Sequence, residues 1–174
     1  MHTNLVILAG GASSRMNASF KQTNPSSTSN LSKALIGMDN EGRPILDYLL
    51  LNAMESGYKH IYLVVGEQSK GFKTYYGNKT KNNTFNGMDI SYAVQYVPKD
   101  RTKPFGTADA LFQALEQYPD LKNETFTVCN SDNLYSVNAF LALKIQRIPM
   151  HLLPMTEKVC ISQWTAFPSL HWYY

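Results

Sequence analysis

Cysteine is almost missing from this chain: Cys129 and Cys160 are the only two in 174 residues, and neither has a partner at Cys-x-x-Cys or Cys/His spacing. That arithmetic excludes a disulfide framework and a zinc module, and it suits a reducing cytoplasm, the compartment expected here. The four histidines, His2, His60, His151 and His171, fall at no ligand spacing either. Long apolar runs are also lacking. Nothing approaches the roughly 20 residues of a membrane span, and the short run ending at Leu8 is below the roughly seven of a signal-peptide core. Excess charge of one sign is absent as well: the net charge is +3, with no stripe of Lys and Arg. Neither nucleic acid nor a membrane is therefore expected as a partner, while a homo-oligomer stays open.

What remains is a domain-sized chain in which short apolar strands alternate with helical patterns. Strands are expected over Leu5–Ala9, His60–Val65, Ile90–Val97 and Thr125–Cys129. A helix is expected over Pro44 to Ser56, with Ile45, Tyr48, Leu49, Asn52 and Ala53 on one face and Gly57 as its stop. A second spans Thr107 to Tyr118, turning Leu111, Ala114 and Leu115 inward. Ser136 can cap a third that carries Val137, Phe140 and Leu141. Strand–helix alternation of this kind predicts an α/β fold with a mostly parallel sheet and crossover helices.

Two regions break the rhythm. The polar stretch from Asn17 to Asn30 follows a glycine turn and reads as a mobile loop over a site. The Asn-, Lys- and Gly-rich segment Thr74 to Met88 reads as a surface excursion. The tail differs again: from Lys144 onward there is no Gly and no Asp, both tryptophans gather there, and Pro149, Pro154 and Pro168 interrupt regular structure. The organisation expected is a nucleotide-binding domain over 1–143 and a divergent tail over 144–174. That tail has one weak strand, Val159–Ser162, and reads as a domain cut short by a frameshift or alternative ending, or else as a compact cap.

Three constellations carry chemistry. The first is Leu8-Ala9-Gly10-Gly11-Ala12-Ser13-Ser14-Arg15-Met16, directly after the first strand. Gly10 and Gly11 permit a turn with no side chain in the way, so backbone N–H groups can approach phosphate oxygens. Ser13 and Ser14 offer hydroxyls, and Arg15 a planar cation matched to phosphate. The adjacent glycines are not the Gly-x-Gly-x-x-Gly dinucleotide fingerprint. Gly66 to Lys73 is not a Walker loop, because Phe72 stands where the phosphate lysine belongs. The second constellation is Gly106-Thr107-Ala108-Asp109-Ala110-Leu111, where a glycine at a loop–helix junction lets a flat base lie against the backbone and Thr107 can cap the helix. Arg101 and Lys103 lie just before it. The third is Cys129-Asn130-Ser131-Asp132-Asn133, with a carboxylate at the C-terminal end of a strand, where open α/β sheets place their ligands.

Leu8 to Met16, followed by Ser32-Lys33-Ala34-Leu35, resembles the two-part signature of the nucleotidyltransferases that make sugar nucleotides, Leu-Ala-Gly-Gly-x-Ser/Thr-x-Arg-Met/Leu and then Pro-Lys. Ser32 replaces the usual proline. The resemblance covers about residues 4 to 143 and includes Gly42-Arg43-Pro44-Ile45-Leu46-Asp47-Tyr48, which reads mainly as structural. It implies a Rossmann-like nucleotide-diphospho-sugar transferase fold, incomplete at its C-terminus, with helices on both faces of the sheet. It further implies that Arg15 and Lys33 grip phosphates, that Gln95, Gly106 and Thr107 face the base, and that Asp132 is a magnesium ligand.

The reaction so implied joins a nucleoside triphosphate to a sugar 1-phosphate, giving a nucleotide sugar and pyrophosphate with Mg2+ as cofactor. The alternatives are a cytidylyl- or guanylyltransferase acting on another phosphorylated acceptor, and a catalytically inactive nucleotide-binding fragment. Glu157 is the only acid after Asp132, which keeps the last alternative in view.

Overall fold

A computed structural model describes residues 2–11, 32–145 and 162–165. Among the described residues five strands fall where apolar residues concentrate or pair: β1 (Asn4–Leu8), β2 (His60–Gly66), β3 (Asn83–Phe85), β4 (Met88–Gln95) and β5 (Thr125–Asn130). A sixth, β6 (Ser162–Thr165), lies later than the weak tail strand expected from sequence, whose residues 159–161 are outside the described residues. The sheet order is β3-β4-β2-β1-β5-β6. β1, β2, β4 and β5 are mutually parallel, and the two edge strands run antiparallel to their neighbours.

Among the described residues four α-helices connect the strands: α1 (Ile45–Glu55), α2 (Lys70–Tyr76), α3 (Thr107–Gln117) and α4 (Val137–Ile145). Because side chains alternate along a strand, β1 feeds two cores. Leu5, Ile7 and Ala9 join Leu46, Leu49, Leu50 and Ala53 of α1 and Phe140 of α4 on one face. Val6 joins Ala110, Leu111 and Ala114 of α3 on the other. Helices therefore cover both faces of the sheet, as the alternating pattern requires.

Local chemistry explains the helix ends. Pro44 is the N-cap of α1, and Gly57, at φ +80°, follows its C-cap. The buried face of α1 is turned by one residue from the expected one: Leu46 and Leu50 are buried, whereas Ile45 and Tyr48 are only partly covered. Asn52 does face inward, donating Nδ2–H to the Tyr135 carbonyl at 2.8 Å. At α4, Ser136 Oγ accepts from Ala139 N–H at 3.2 Å, the N-cap expected from sequence. Leu141, however, is 38% exposed, and Leu143 takes the buried position.

The segment Thr74 to Met88 is more ordered than a surface excursion. It holds the end of α2 and the β3–β4 hairpin, closed by Asn86 and Gly87, both at positive φ. An Asn-Gly pair supplies that conformation readily. The Phe72 that rules out a Walker loop is a core residue, 4% exposed.

β3 is short and pairs only with Met88, Asp89 and Ile90, so the later part of β4 has no strand beside it on that edge. Two glutamines of α3 cover it. Gln113 Oε1 accepts from Tyr96 N–H at 2.8 Å while its Nε2 donates to the Tyr96 carbonyl at 3.1 Å. Gln117 does the same for Val94, at 2.9 and 2.8 Å. Glutamines one helical turn apart thus match alternate residues of a strand, and their amides stand in for a neighbouring strand.

Candidate active site

The parallel strands end together at one rim of the sheet. Beyond β1 the chain reaches Gly10 and Gly11; beyond β4 it enters the 96–106 loop; beyond β5 it turns through Ser131 and Asp132. β1 sends its connection toward β2, whereas β5 lies on the opposite side of β1. Neighbouring connections that diverge in this way open a crevice at the carboxyl ends of the strands.

A cleft of about 310 Å³ occupies this place. Leu8, Ala9, Gly10 and Gly11 line it from β1, and Ser32 and Lys33 from the 3-10 turn Lys33–Leu35. Gln95 enters from β4, Gly106, Thr107 and Ala110 from the start of α3, and Asn130, Ser131 and Asp132 from β5. Nine of the sequence-predicted residues, scattered from position 8 to position 132, therefore share one cavity: Leu8, Ala9, Gly10, Gly11, Lys33, Gln95, Gly106, Thr107 and Asp132. Ser13, Ser14 and Arg15, and the polar stretch Asn17 to Asn30, lie outside the described residues.

Each lining group has a local reason for its position. Lys33 is exposed, but the next two residues, Ala34 and Leu35, are 0% and 3% exposed and anchor its turn in the core. Ser131 N–H donates to the Leu8 carbonyl at 3.1 Å, which extends the β1–β5 pairing to the cleft floor and fixes where Asp132 emerges. Gly106 is the N-cap of α3 with φ +119°, a conformation that disfavours any side chain. The cap is thus backbone glycine, not Thr107, which is the first helical residue; no side-chain hydrogen bond caps this end.

Gln95 holds the loops together. It is 4% exposed, and its Nε2 donates to the Gly106 carbonyl at 3.1 Å and to Asp109 Oδ2 at 2.8 Å. A Cβ on Gly10 would lie 2.9 Å from Gln95 Oε1, so a side chain there would push the amide from its place. Asp109 also accepts from Gln113 Nε2 at 3.0 Å, joining the cleft to the covered edge of β4. In the sequence Asp109 is one residue of the Gly106–Leu111 string, and its position three residues after the loop glycine is the signal for this contact.

Other sequence candidates stand apart from the cleft. Arg101 lies over the Phe105 ring at 4.1 Å on the exposed 96–106 loop, and neither it nor Lys103 lines the cavity. Asp39 organises the Gly42-Arg43-Pro44 turn, accepting from the backbone N–H of Arg43 at 2.8 Å and of Glu41 at 3.0 Å and from Tyr48 Oη at 2.7 Å. Those donors, the Arg43 N–H foremost, hold the Asp39 carboxyl below its usual range, and they bear out a structural role for the turn. Cys129 is free and buried beneath the cleft, and burial pushes its thiol pKa up. Among the described residues no group of three His, Cys, Asp or Glu gathers.

A glycine turn, a loop–helix glycine, an ammonium and a carboxylate thus meet around one crevice of an α/β fold. The chain belongs to the Nucleotidyl transferase family, whose pattern it matches over residues 4–147. No curated protein matches it. Among solved structures it is similar to UDP-glucose pyrophosphorylase in complex with UDP-glucose, at 18% identity and TM-score 0.55, over 77% of this chain and 47% of the other. It is also similar to HddC from Yersinia pseudotuberculosis complexed with GMP-PN, at 21% identity and TM-score 0.50, over 75% and 48% of the two chains. These likenesses concern the fold, and the chain spans about half the length of the structures it matches.

Proposed function

We propose that this chain binds a nucleoside triphosphate in the cleft and transfers its nucleotidyl group to a sugar 1-phosphate. The observation that carries the proposal is the meeting of Gly10, Gly11, Lys33, Gly106 and Asp132 around one cavity, although they come from four separate parts of the sequence. The two similar structures were solved with UDP-glucose and with GMP-PN, ligands of the class proposed.

In this reaction a phosphate oxygen of the sugar phosphate attacks the α-phosphorus of the triphosphate. The bond from that phosphorus to the bridging oxygen breaks, and pyrophosphate leaves with the electron pair. The nucleophile is already an anion, so no side chain has to remove a proton. Work left to the protein is alignment and neutralisation of charge. Gly10 and Gly11 let the backbone approach the phosphates, Lys33 supplies an ammonium, and Arg15 is assigned a guanidinium role alongside it. The base lies toward Gln95, Gly106 and Thr107.

Asp132 is exposed at the cleft, and a single accessible carboxylate there fits Mg2+, which takes one or two protein carboxylates and leaves its other positions to phosphates and water. Bound there, the ion would neutralise phosphate charge. The compartment that fits is the cytoplasm.

Pyrophosphate release, measured with four nucleoside triphosphates against a panel of sugar 1-phosphates and other phosphorylated acceptors, tests the proposal. Release that depends on a sugar 1-phosphate supports it. Release with another acceptor would move the chain to the cytidylyl- or guanylyltransferase alternative. Tight triphosphate binding with no release would make it a nucleotide-binding module.

A further inference from the structure

Where β5 runs out at the cleft, two successive backbone donors turn to opposite sides. Ser131 N–H turns toward β1 and donates to the Leu8 carbonyl at 3.1 Å. Alternation along the strand turns the preceding N–H, that of Asn130, the other way. On that side β6 pairs with Thr125 to Val128, so no described strand reaches Asn130. A side chain five residues further on takes the place of one. Tyr135 Oη accepts from Asn130 N–H at 3.2 Å and from Asn133 Nδ2 at 3.3 Å.

One oxygen thus ties both ends of the stretch that carries Asp132. The aspartate is exposed at the cleft, whereas Ser131 before it and Tyr135 after it are buried. Tyr135 is itself held from two helices. Its ring packs against Phe140 of α4 at 5.6 Å between centroids, and its carbonyl accepts from Asn52 Nδ2 of α1 at 2.8 Å. An exposed carboxylate binds a cation better when the backbone beneath it is already fixed, because ordering a loose turn costs free energy at binding. We propose that the Tyr135 hydroxyl is a positioning group that clasps the Asn130–Asn133 turn, so that Asp132 presents its carboxylate to a divalent cation in the cleft. Phenylalanine would fill the same space and lose both hydrogen bonds. This inference rests on the nucleotidyl-transfer reading and on the Mg2+ role proposed there for Asp132.

The test measures binding, without turnover. The best bound of UTP, GTP, CTP and ATP is titrated calorimetrically into the full chain, once with Mn2+ and once with metal removed by a chelator. Mn2+ should tighten binding to the unaltered chain about tenfold, and to Asp132→Asn less than about threefold. Tyr135→Phe should show the same small gain as Asp132→Asn, with its metal-free affinity within about twofold of the unaltered chain. Adding Tyr135→Phe to Asp132→Asn should cost nothing more, because the hydroxyl acts through that carboxylate. A matching loss with and without Mn2+ in Tyr135→Phe would make the tyrosine merely structural and overturn the proposal. A further loss in the double variant would overturn it as well. Asn133→Ala, at a partly exposed position, removes one bond without touching the core and should reduce the gain about twofold. Should Tyr135→Phe not fold, an undiminished gain in Asn133→Ala overturns the proposal in its stead. Absence of any gain in the unaltered chain would remove the metal role of Asp132, and this inference with it. A gain lost in Asp132→Asn but kept in Tyr135→Phe would leave that role standing and remove this inference alone.

Discussion

The two ends of the sheet are built from the same strands and finished in opposite ways. At the N-terminal end, side chains close on one another. Thr127 Oγ1 is hydrogen-bonded to His2 Nε2 at 2.8 Å and to Tyr58 Oη at 2.7 Å. Asn4 donates to Glu124, Tyr58 meets the Phe140 ring edge-on, and Lys144 Nζ donates to the Ser56 and Gly57 carbonyls at 2.9 Å. At the C-terminal end the same strands give way to glycine, an exposed lysine and an exposed aspartate around an open cleft. Polar groups at the first end satisfy each other, whereas at the second they line an open cleft. Packing was concentrated where stability needs it, and the rim that faces a ligand was left thin.

Substitutions at each end should separate the two roles. The largest effect is expected at the open end. Lys33→Ala or Arg15→Ala should lower nucleotidyl transfer by about 100-fold or more, and Asp132→Asn likewise, with unfolding temperature almost unchanged. Turnover with four triphosphates and thermal melting check this; equal loss of both would erase the distinction. Next comes Gly10→Ala. Its Cβ would crowd Gln95 Oε1 at 2.9 Å, and triphosphate affinity should fall about tenfold, as measured by calorimetry.

Smaller effects are expected away from the cleft. Gln113→Ala and Gln117→Ala each uncover a stretch of the β4 edge and should each cost about 1 kcal/mol, read in a urea titration. Gln113→Ala should also disturb the nucleotide, through Asp109, whereas Gln117→Ala should not. The closed end should show itself through pH. Burial, reinforced by the Lys144 ammonium, lowers the His2 pKa from 6.5 to about 4. The unfolded chain then takes up a proton first as pH falls, so stability present above pH 6.5 declines between 6.5 and about 4. His2→Gln should flatten melting temperature across that window while leaving triphosphate binding intact.

Much of this contrast is legible in the sequence, and unevenly so. The strands β1, β2, β4 and β5 stand out because each is an apolar run bounded by turn residues. The cleft stands out because its chemistry resides in short contiguous strings, Leu8 to Gly11, Gly106 to Asp109 and Cys129 to Asp132, whose positions after strands predict convergence. What escapes is what depends on pairing across the fold. β3 has three residues and no apolar alternation, and only the Asn86-Gly87 turn marks it. The face of α1 is off by one residue because Ile45, apolar but at the helix start, weighs equally with Leu46 until packing decides. Gln113 and Gln117 look like ordinary surface residues on a helix, and their service to β4 exists only once α3 lies beside an incomplete edge. Asp109 is hidden for the same reason, since its meaning lies in the amide it orients.

Backbone amide exchange, followed residue by residue with and without a nucleoside triphosphate, tests most directly whether the open end is a nucleotide site. Protection should appear at Gly10, Gly11, Gly106, Thr107 and Asp132 and leave Thr127 and Tyr58 at the closed end unchanged. Protection confined to any other surface, or none at saturating triphosphate, would contradict it.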